Sequence, residues 1–309
     1  MADDRRDSRQ GRTSTKLTAK NAAAARIAAA RAAQAKANRR RNVMVAGGAT
    51  LAVVLVVGLI VAIGLSTKKK TSATNAVVAA PTSVTGGITG AATAMLSGAP
   101  DISAVSGPPA TLTGARLTNA AGLPEVLYVG GDFCPNCGAT RWPLAIALSR
   151  FGTLSNVKTT YSADSDKPSH IPTLSFHGSS YTSQYIAFVG KEEVDGARKP
   201  LDTLTAAETS LFDNFGGSPN GSTPGYPFID FGGIWKQNGA SFDPTALSGM
   251  TPESVAASLS KPTAKPGSLI KASADVFTAI ICELDGGKPA NVCTAAGVAT
   301  ATTALAAVK

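Results

Sequence analysis

Hydrophobic and polar positions change character several times along the chain. From Met1 to Asn42 alanine alternates irregularly with arginine and lysine, and although Asn21–Ala37 is rich in helix formers, its charges fall on no single helical face. Residues 1–42 therefore read as a solvated basic, Ala-rich cytoplasmic tail. Val43 to Leu65 then runs for 23 residues without a charge. At about 1.5 Å rise per residue, a helix of that length spans the roughly 30 Å hydrocarbon core of a bilayer. The pattern predicts one transmembrane helix over 43–65. A cleaved signal peptide would have a shorter apolar core, about 7 to 15 residues, with a small-residue cleavage site behind it, whereas Lys68, Lys69 and Lys70 follow here.

Residues 66–110 are dominated by Ala, Thr, Ser, Gly, Val and Pro, with no aromatic residue. Such a segment lacks the large apolar side chains that offset ordering entropy, and it reads as a flexible linker reaching roughly 35 Å. Every Cys, Trp, Tyr and Phe lies in residues 111–309, ample for one packed core.

Within that domain the periodicity gives mixed elements. Glu125 to Gly130 is a short apolar run ended by glycine and predicts a buried strand; Pro135 to Phe151 places Trp142, Ala145, Ile146 and Phe151 at helical spacing. Strands are expected at Val157–Tyr161, Thr173–Phe176 and Tyr185–Val189. Thr205 and Glu208 form a capping-box signature for a short helix ending near Gly216. Pro227–Phe231 and Ile234–Lys236, split by Gly232 and Gly233, predict a hairpin, and Thr251-Pro252 opens a further helix. Leu269, Ile270, Val276, Phe277, Ile280 and Ile281 share one helical stripe, and an Ala-rich helix follows Cys293, so residues 267–309 read as a helical hairpin.

The formal net charge of +9 is an N-terminal property: Met1–Asn42 holds 12 basic and three acidic residues, while Thr71–Lys309 holds 14 basic and 17 acidic. The excess of positive charge before the apolar run places the N-terminus in the cytoplasm and the C-terminal domain outside it. The juxtamembrane basic residues also favour anionic lipid. Nucleic acid is not expected as a partner, because no aromatic residue interleaves the basic tail and nothing basic is concentrated downstream.

Cys134-Pro135-Asn136-Cys137 stands where the strand gives way to the helix. Free backbone N–H groups and the helix dipole favour a thiolate at the first position, so Cys134 is the expected nucleophile and Cys137 the resolving thiol. Pro143 lies inside the same helix, where it removes a backbone hydrogen bond and should kink the axis.

The run PEVLYVGGDFCPNCGATRWPLAIALSRFG and the later YPFIDFGG resemble the thioredoxin-like family known as domain of unknown function 929, found in actinobacteria and archaea. The likeness covers roughly Leu112–Ala306, and its most specific part is CPxC followed by Arg141, Trp142 and Pro143. The resemblance implies a thioredoxin-like fold but brings no established substrate. A thioredoxin-like fold further implies a cis-proline opening a strand beside the cysteines. Pro172 and Pro227 are the candidates, and Pro227 is preferred because strand, Gly-Gly turn, strand and helix follow it. Departures from familiar thioredoxins are Phe133 in place of the usual tryptophan, Tyr128 where a buried acid is common, and Pro-Asn in place of the Pro-His of strongly oxidising sites.

Cys282 and Cys293 flank a polar turn between two predicted helices, and in an oxidising compartment they are expected to form a structural disulfide. Their ten-residue spacing does not suit a structural zinc site, and no metal or cofactor is expected. His170 and His177 have no partners at a recognised catalytic spacing, and Asp230 is expected to be a strand residue without an assigned role. The resulting fold class is α/β: a thioredoxin-like domain with a disulfide-stapled helical hairpin, preceded by one transmembrane helix. Two functions follow. One is a membrane-tethered extracytoplasmic thiol/disulfide oxidoreductase acting on exported cysteine-containing proteins or a membrane redox partner. The other is a non-catalytic envelope binding module with a static disulfide.

Overall fold

The structure, a computed structural model, describes residues 75–217 and 224–307. The expected tail (1–42) and transmembrane helix (43–65) lie outside the described residues. Among the described residues, no helix is long and apolar enough to cross a membrane.

The chain runs through β1 (Val78–Ala79), α1 (Thr82–Ala94), β2 (Ala110–Thr111), β3 (Glu125–Gly131), α2 (Pro135–Ser149), β4 (Gly152–Ser155), β5 (Lys158–Tyr161), β6 (Pro172–Ser175), β7 (Ser180–Ser183) and β8 (Ala187–Val194). It continues through α3 (Ala206–Phe215), β9 (Phe228–Phe231), β10 (Trp235–Asn238), α4 (Pro252–Ser258), α5 (Gly267–Leu284), α6 (Ala290–Cys293) and α7 (Ala296–Ala306). The largest sheet has the order β2-β10-β9-β3-β8. In it β3 pairs in parallel with β8 and antiparallel with β9, where Val129 stands opposite Phe228.

β3 is buried on both faces, which explains its nearly continuous apolar sequence. Val126 and Tyr128 point into the main core with Trp142 and Ile146 of α2 and Phe277 of α5. Leu127 and Val129 face the other way, onto Phe212 of α3 and Phe228. At the hairpin turn Gly232 and Gly233 take φ of +62° and +72°, conformations that L-residues rarely adopt. The Thr205 capping box is complete, with Glu208 N–H donating to the Thr205 hydroxyl at 3.2 Å and the Thr205 N–H to the Glu208 carboxylate at 2.7 Å.

The expected fold class requires correction. The described residues form a mixed α/β fold whose strands divide among three separate sheets, instead of a thioredoxin-like domain. β5 pairs antiparallel with β1 on one side and β6 on the other in a three-stranded sheet of their own, and β4 pairs with β7 in another. Their alternation with helices along the sequence did not distinguish one sheet from three. The C-terminal helices α5 and α7 do pack on each other, as the hairpin expectation has it. α5 is buried at every position from Leu269 to Cys282 and packs on α2 as a core helix; the four-residue α6 intervenes before α7. Cys282 and Cys293 form a disulfide with a Cα–Cα distance of 5.7 Å, joining the end of α5 to α6.

The linker expectation is corrected for residues 75–110. Val84, Ile88, Ala91 and Ala92 line a buried stripe of α1 that, with Met95 just past its end, joins the main core. The small residues that suggest disorder in the sequence instead allow helices to approach closely: a side chain at Gly87 would stand 3.0 Å from the Ala256 Cβ on α4. A buried ionic group ties the same region together. Arg150 at the end of α2 pairs with Asp275 of α5 at 2.8 Å and donates to the Ala92 carbonyl at 3.2 Å; Lys271 pairs with Asp275 at 2.6 Å and donates to the Met95 carbonyl.

Candidate dithiol site

β3 ends in Gly130 and Gly131, and the chain turns through Asp132 and Phe133 into α2. Gly130 is dictated by space, because the Tyr128 hydroxyl occupies the position any side chain there would need. Cys134 is the N-cap of α2 and Pro135 fills the first turn, where a missing N–H is harmless. The Cys137 N–H donates to the Cys134 sulfur at 3.3 Å. One thiol therefore acts as the helix-capping acceptor, a role that favours negative charge on it.

Exposure separates the two sulfurs: Cys134 keeps 6% of its surface and Cys137 none. Both are free thiols. The Cys137 side chain and then the Cys137 and Asn136 N–H groups and Arg141 hold the Cys134 thiol below its ordinary range, against burial. Burial, followed by the neighbouring Cys134, pushes Cys137 well above the usual thiol range. The two thiols of the pair therefore differ in thiolate character, which is greater at Cys134 than at Cys137.

The register of β9 on β3 brings the segment before β9 beside Cys134. The Cys134 thiol points at the Tyr226 carbonyl, 3.8 Å away, and the Tyr226–Pro227 bond is cis, whereas Ile171–Pro172 is not. Pro227 is buried. Phe133 is half-buried, its ring edge-on to Tyr226 at 6.0 Å and under the Arg198 guanidinium at 4.0 Å. Tyr226 in turn stacks on Phe212 at 5.5 Å and donates to Glu193 at 2.9 Å. These rings form one wall of the site.

Behind the thiols lies a buried charge cluster. Arg141 follows Cys134 and Cys137 by seven and four residues, the spacing of one helical face. It is completely buried, donating from Nε to Glu192 at 2.8 Å, from Nη1 to the Thr173 hydroxyl at 3.0 Å and from Nη2 to the Gly131 carbonyl at 2.8 Å and to the second Glu192 oxygen. Asp132 stands 3.8 Å from the same guanidinium, and the Tyr128 ring centre is 5.6 Å from it. Burial alone would weaken the Arg141 charge, but the Glu192 and Asp132 carboxyls beside it keep the group firmly protonated. Burial raises Asp132, and raises Glu192 to about 8, with Arg141 opposing both.

The remaining motif residues are structural: the buried Trp142 donates its Nε1–H to the Pro172 carbonyl at 3.1 Å, and Pro143 is buried inside α2. Asp230 is buried and accepts from the Gly233 N–H at 2.7 Å, which fixes the hairpin turn; burial pushes its carboxyl up to about 6. His170 stacks on Tyr161 and His177 pairs with Asp202 at 2.7 Å.

Sequence reasoning missed Asp132 and Glu192. Asp132 carried a signal, an acid ending an apolar strand two residues before Cys134. Glu192 sits in GKEEVDG, which reads as a surface run and gives no hint of burial.

A reduced cysteine pair at a strand-to-helix turn, backed by a buried guanidinium, places the molecule among proteins with a built dithiol site on a mixed α/β scaffold. By family, the chain belongs to that described as Domain of unknown function (DUF929), whose pattern matches residues 114–283, more than half of its length. No curated protein and no solved structure gives a significant match.

Proposed function

We propose that the protein is a thiol/disulfide oxidoreductase with Cys134 as nucleophile, Cys137 as resolving thiol and Pro227 positioning the partner chain. In the reducing direction the Cys134 thiolate attacks a partner disulfide, forming a mixed disulfide and releasing one partner thiolate. Cys137 then loses its proton and attacks the Cys134 sulfur. The second partner thiol leaves, two electrons have passed to the partner, and Cys134 and Cys137 are joined. The observation that carries this reading is the asymmetry of the pair: the outer sulfur accepts from the helix terminus while the inner one is fully buried.

The wall of Phe133 and Tyr226 beside Cys134 suits a partner polypeptide with apolar residues flanking its cysteine. The Cys282–Cys293 disulfide supports an oxidising, extracytoplasmic setting and exported cysteine-containing partners. The low exposure of Cys134 favours a second reading, a binding module whose cysteines do not turn over.

Trapping separates the two. In the full-length chain, Cys137→Ala is expected to accumulate a mixed disulfide with a cysteine-containing peptide presented as its disulfide, while Cys134→Ala accumulates none. Equal absence of adducts in both variants favours the binding module.

A further inference from the structure

We propose that Arg141 is a positioning residue whose buried guanidinium stabilises the reduced, Cys134-thiolate form of the pair and so makes the protein an oxidant of partner dithiols. The inference rests on the dithiol reading above and assigns its direction.

Arg141 is carried by the same helix face as both thiols and fixed from three strands, through Gly131 of β3, Thr173 of β6 and Glu192 of β8. The Gly131 carbonyl that accepts from Arg141 also accepts from the Cys134 N–H at 3.1 Å, so the guanidinium is held one residue from the thiol by groups that need not reorganise when the thiolate forms, and in a dry site its field is little screened. The groups facing the cluster are Glu192, Asp132, Tyr128 and Cys137, with the His177–Asp202 pair beside Asp132 and Glu192, and Tyr226 and Glu193 on the Cys134 side. Glu192 is the one carboxylate that hydrogen-bonds Arg141; the fork's other partners, the Thr173 hydroxyl and the Gly131 carbonyl, are neutral, and Asp132 stands back at 3.8 Å. A pair whose reduced form is stabilised has a higher reduction potential.

In this direction a partner thiolate attacks the Cys134 sulfur of the oxidised pair, and Cys137 leaves and takes up a proton. The partner's second thiol, losing its proton to solvent, attacks the partner sulfur bound to Cys134 and expels Cys134 as a thiolate. Two electrons pass from the partner to the protein. A small-molecule disulfide, oxidised glutathione in the test, restores the starting state.

The test compares full-length wild type, Arg141→Gln, Arg141→Lys and Glu192→Gln by thiolate ultraviolet absorbance against pH and by equilibration with glutathione. Arg141→Gln is expected to move the Cys134 titration to higher pH and to leave about tenfold less reduced protein at a given glutathione ratio, roughly 30 mV toward reducing. Arg141→Lys, which keeps the charge but loses the fork, is expected to retain most of the wild-type value. Glu192→Gln keeps the shape of the carboxylate without its anion, and is expected to move the thiol titration downward. Wild-type behaviour in Arg141→Gln overturns the inference, as does an equal loss in the Lys and Gln variants or an upward titration in Glu192→Gln. Failure of wild type to exchange with glutathione at all would instead refute the dithiol reading.

Discussion

Ile88→Ala asks whether residues 75–110 fold with the domain or tether it. Ile88 is 4% exposed on α1 and belongs to the main core. The substitution deletes three carbon-sized groups, at about 0.8 kcal/mol each for transfer, and leaves a cavity between rigid helices; Ile→Ala changes of this kind cost about 2–5 kcal/mol. The better helix propensity of alanine returns only a few tenths of that. For a folded unit of this size the loss corresponds to a Tm decrease of roughly 4–15 °C. Denaturant melts followed by tryptophan fluorescence measure it, because Trp142 and Trp235 lie in the same core. Thr89→Ala is the control: Thr89 is exposed on the same helix and its hydroxyl bonds only to the Thr85 carbonyl at 3.0 Å, so a change within about 0.5 kcal/mol is expected. An Ile88→Ala change as small as the control would refute the packed-helix account and restore the tether.

Three further outcomes follow from the structure. Cys282→Ser, opening a loop closed across a separation of 11 residues, should lower stability by about 3 kcal/mol in non-reducing melts and leave no difference from wild type under strong reductant. Asp230 has a folded pKa raised by burial to about 6, above its unfolded value, so its contribution is fully present below pH ~4 and is lost as pH rises through about 6. Asp230→Asn keeps an oxygen for the Gly233 N–H and should therefore be the more stable protein above pH ~6, by about 1–3 kcal/mol, with the difference vanishing near pH ~4 in denaturant midpoints. Because the Cys137 side chain is the largest influence lowering Cys134, Cys137→Ala should shift the pH midpoint of Cys134 alkylation upward, read by mass spectrometry; an unchanged midpoint would remove that side chain from the argument.

What the sequence made legible was local. The Thr205 capping box, the Thr251-Pro252 helix start, the Gly232-Gly233 turn and the strand leading into Cys134 depend on residues a few positions apart, where spacing carries the physics directly. Long-range partnership was not legible. β5 and β6 have ordinary strand sequences, and nothing in them says that they pair with each other, with Val78 and Ala79 on the far side of β5, instead of joining β3. In α1 composition misled, because glycine and alanine serve equally in a loose chain and in a close helix contact such as Gly87 on Ala256. At the site, the cysteine pair was readable from spacing, and Arg141 entered through the family resemblance as a residue flanking the motif. The counter-charge was not, since Glu192 reaches Arg141 from 51 residues away and Lys191 and Glu193 give it the look of a surface strand.

The central claim is that Cys134 and Cys137 exchange electrons as a unit. Its most direct measurement equilibrates the full-length chain in graded glutathione buffers, quenches with an alkylating reagent and counts modified cysteines by mass. The account predicts a single two-electron transition in which Cys134 and Cys137 change together while Cys282–Cys293 stays joined. A pair that holds one oxidation state across every buffer, with the fold intact, would contradict it.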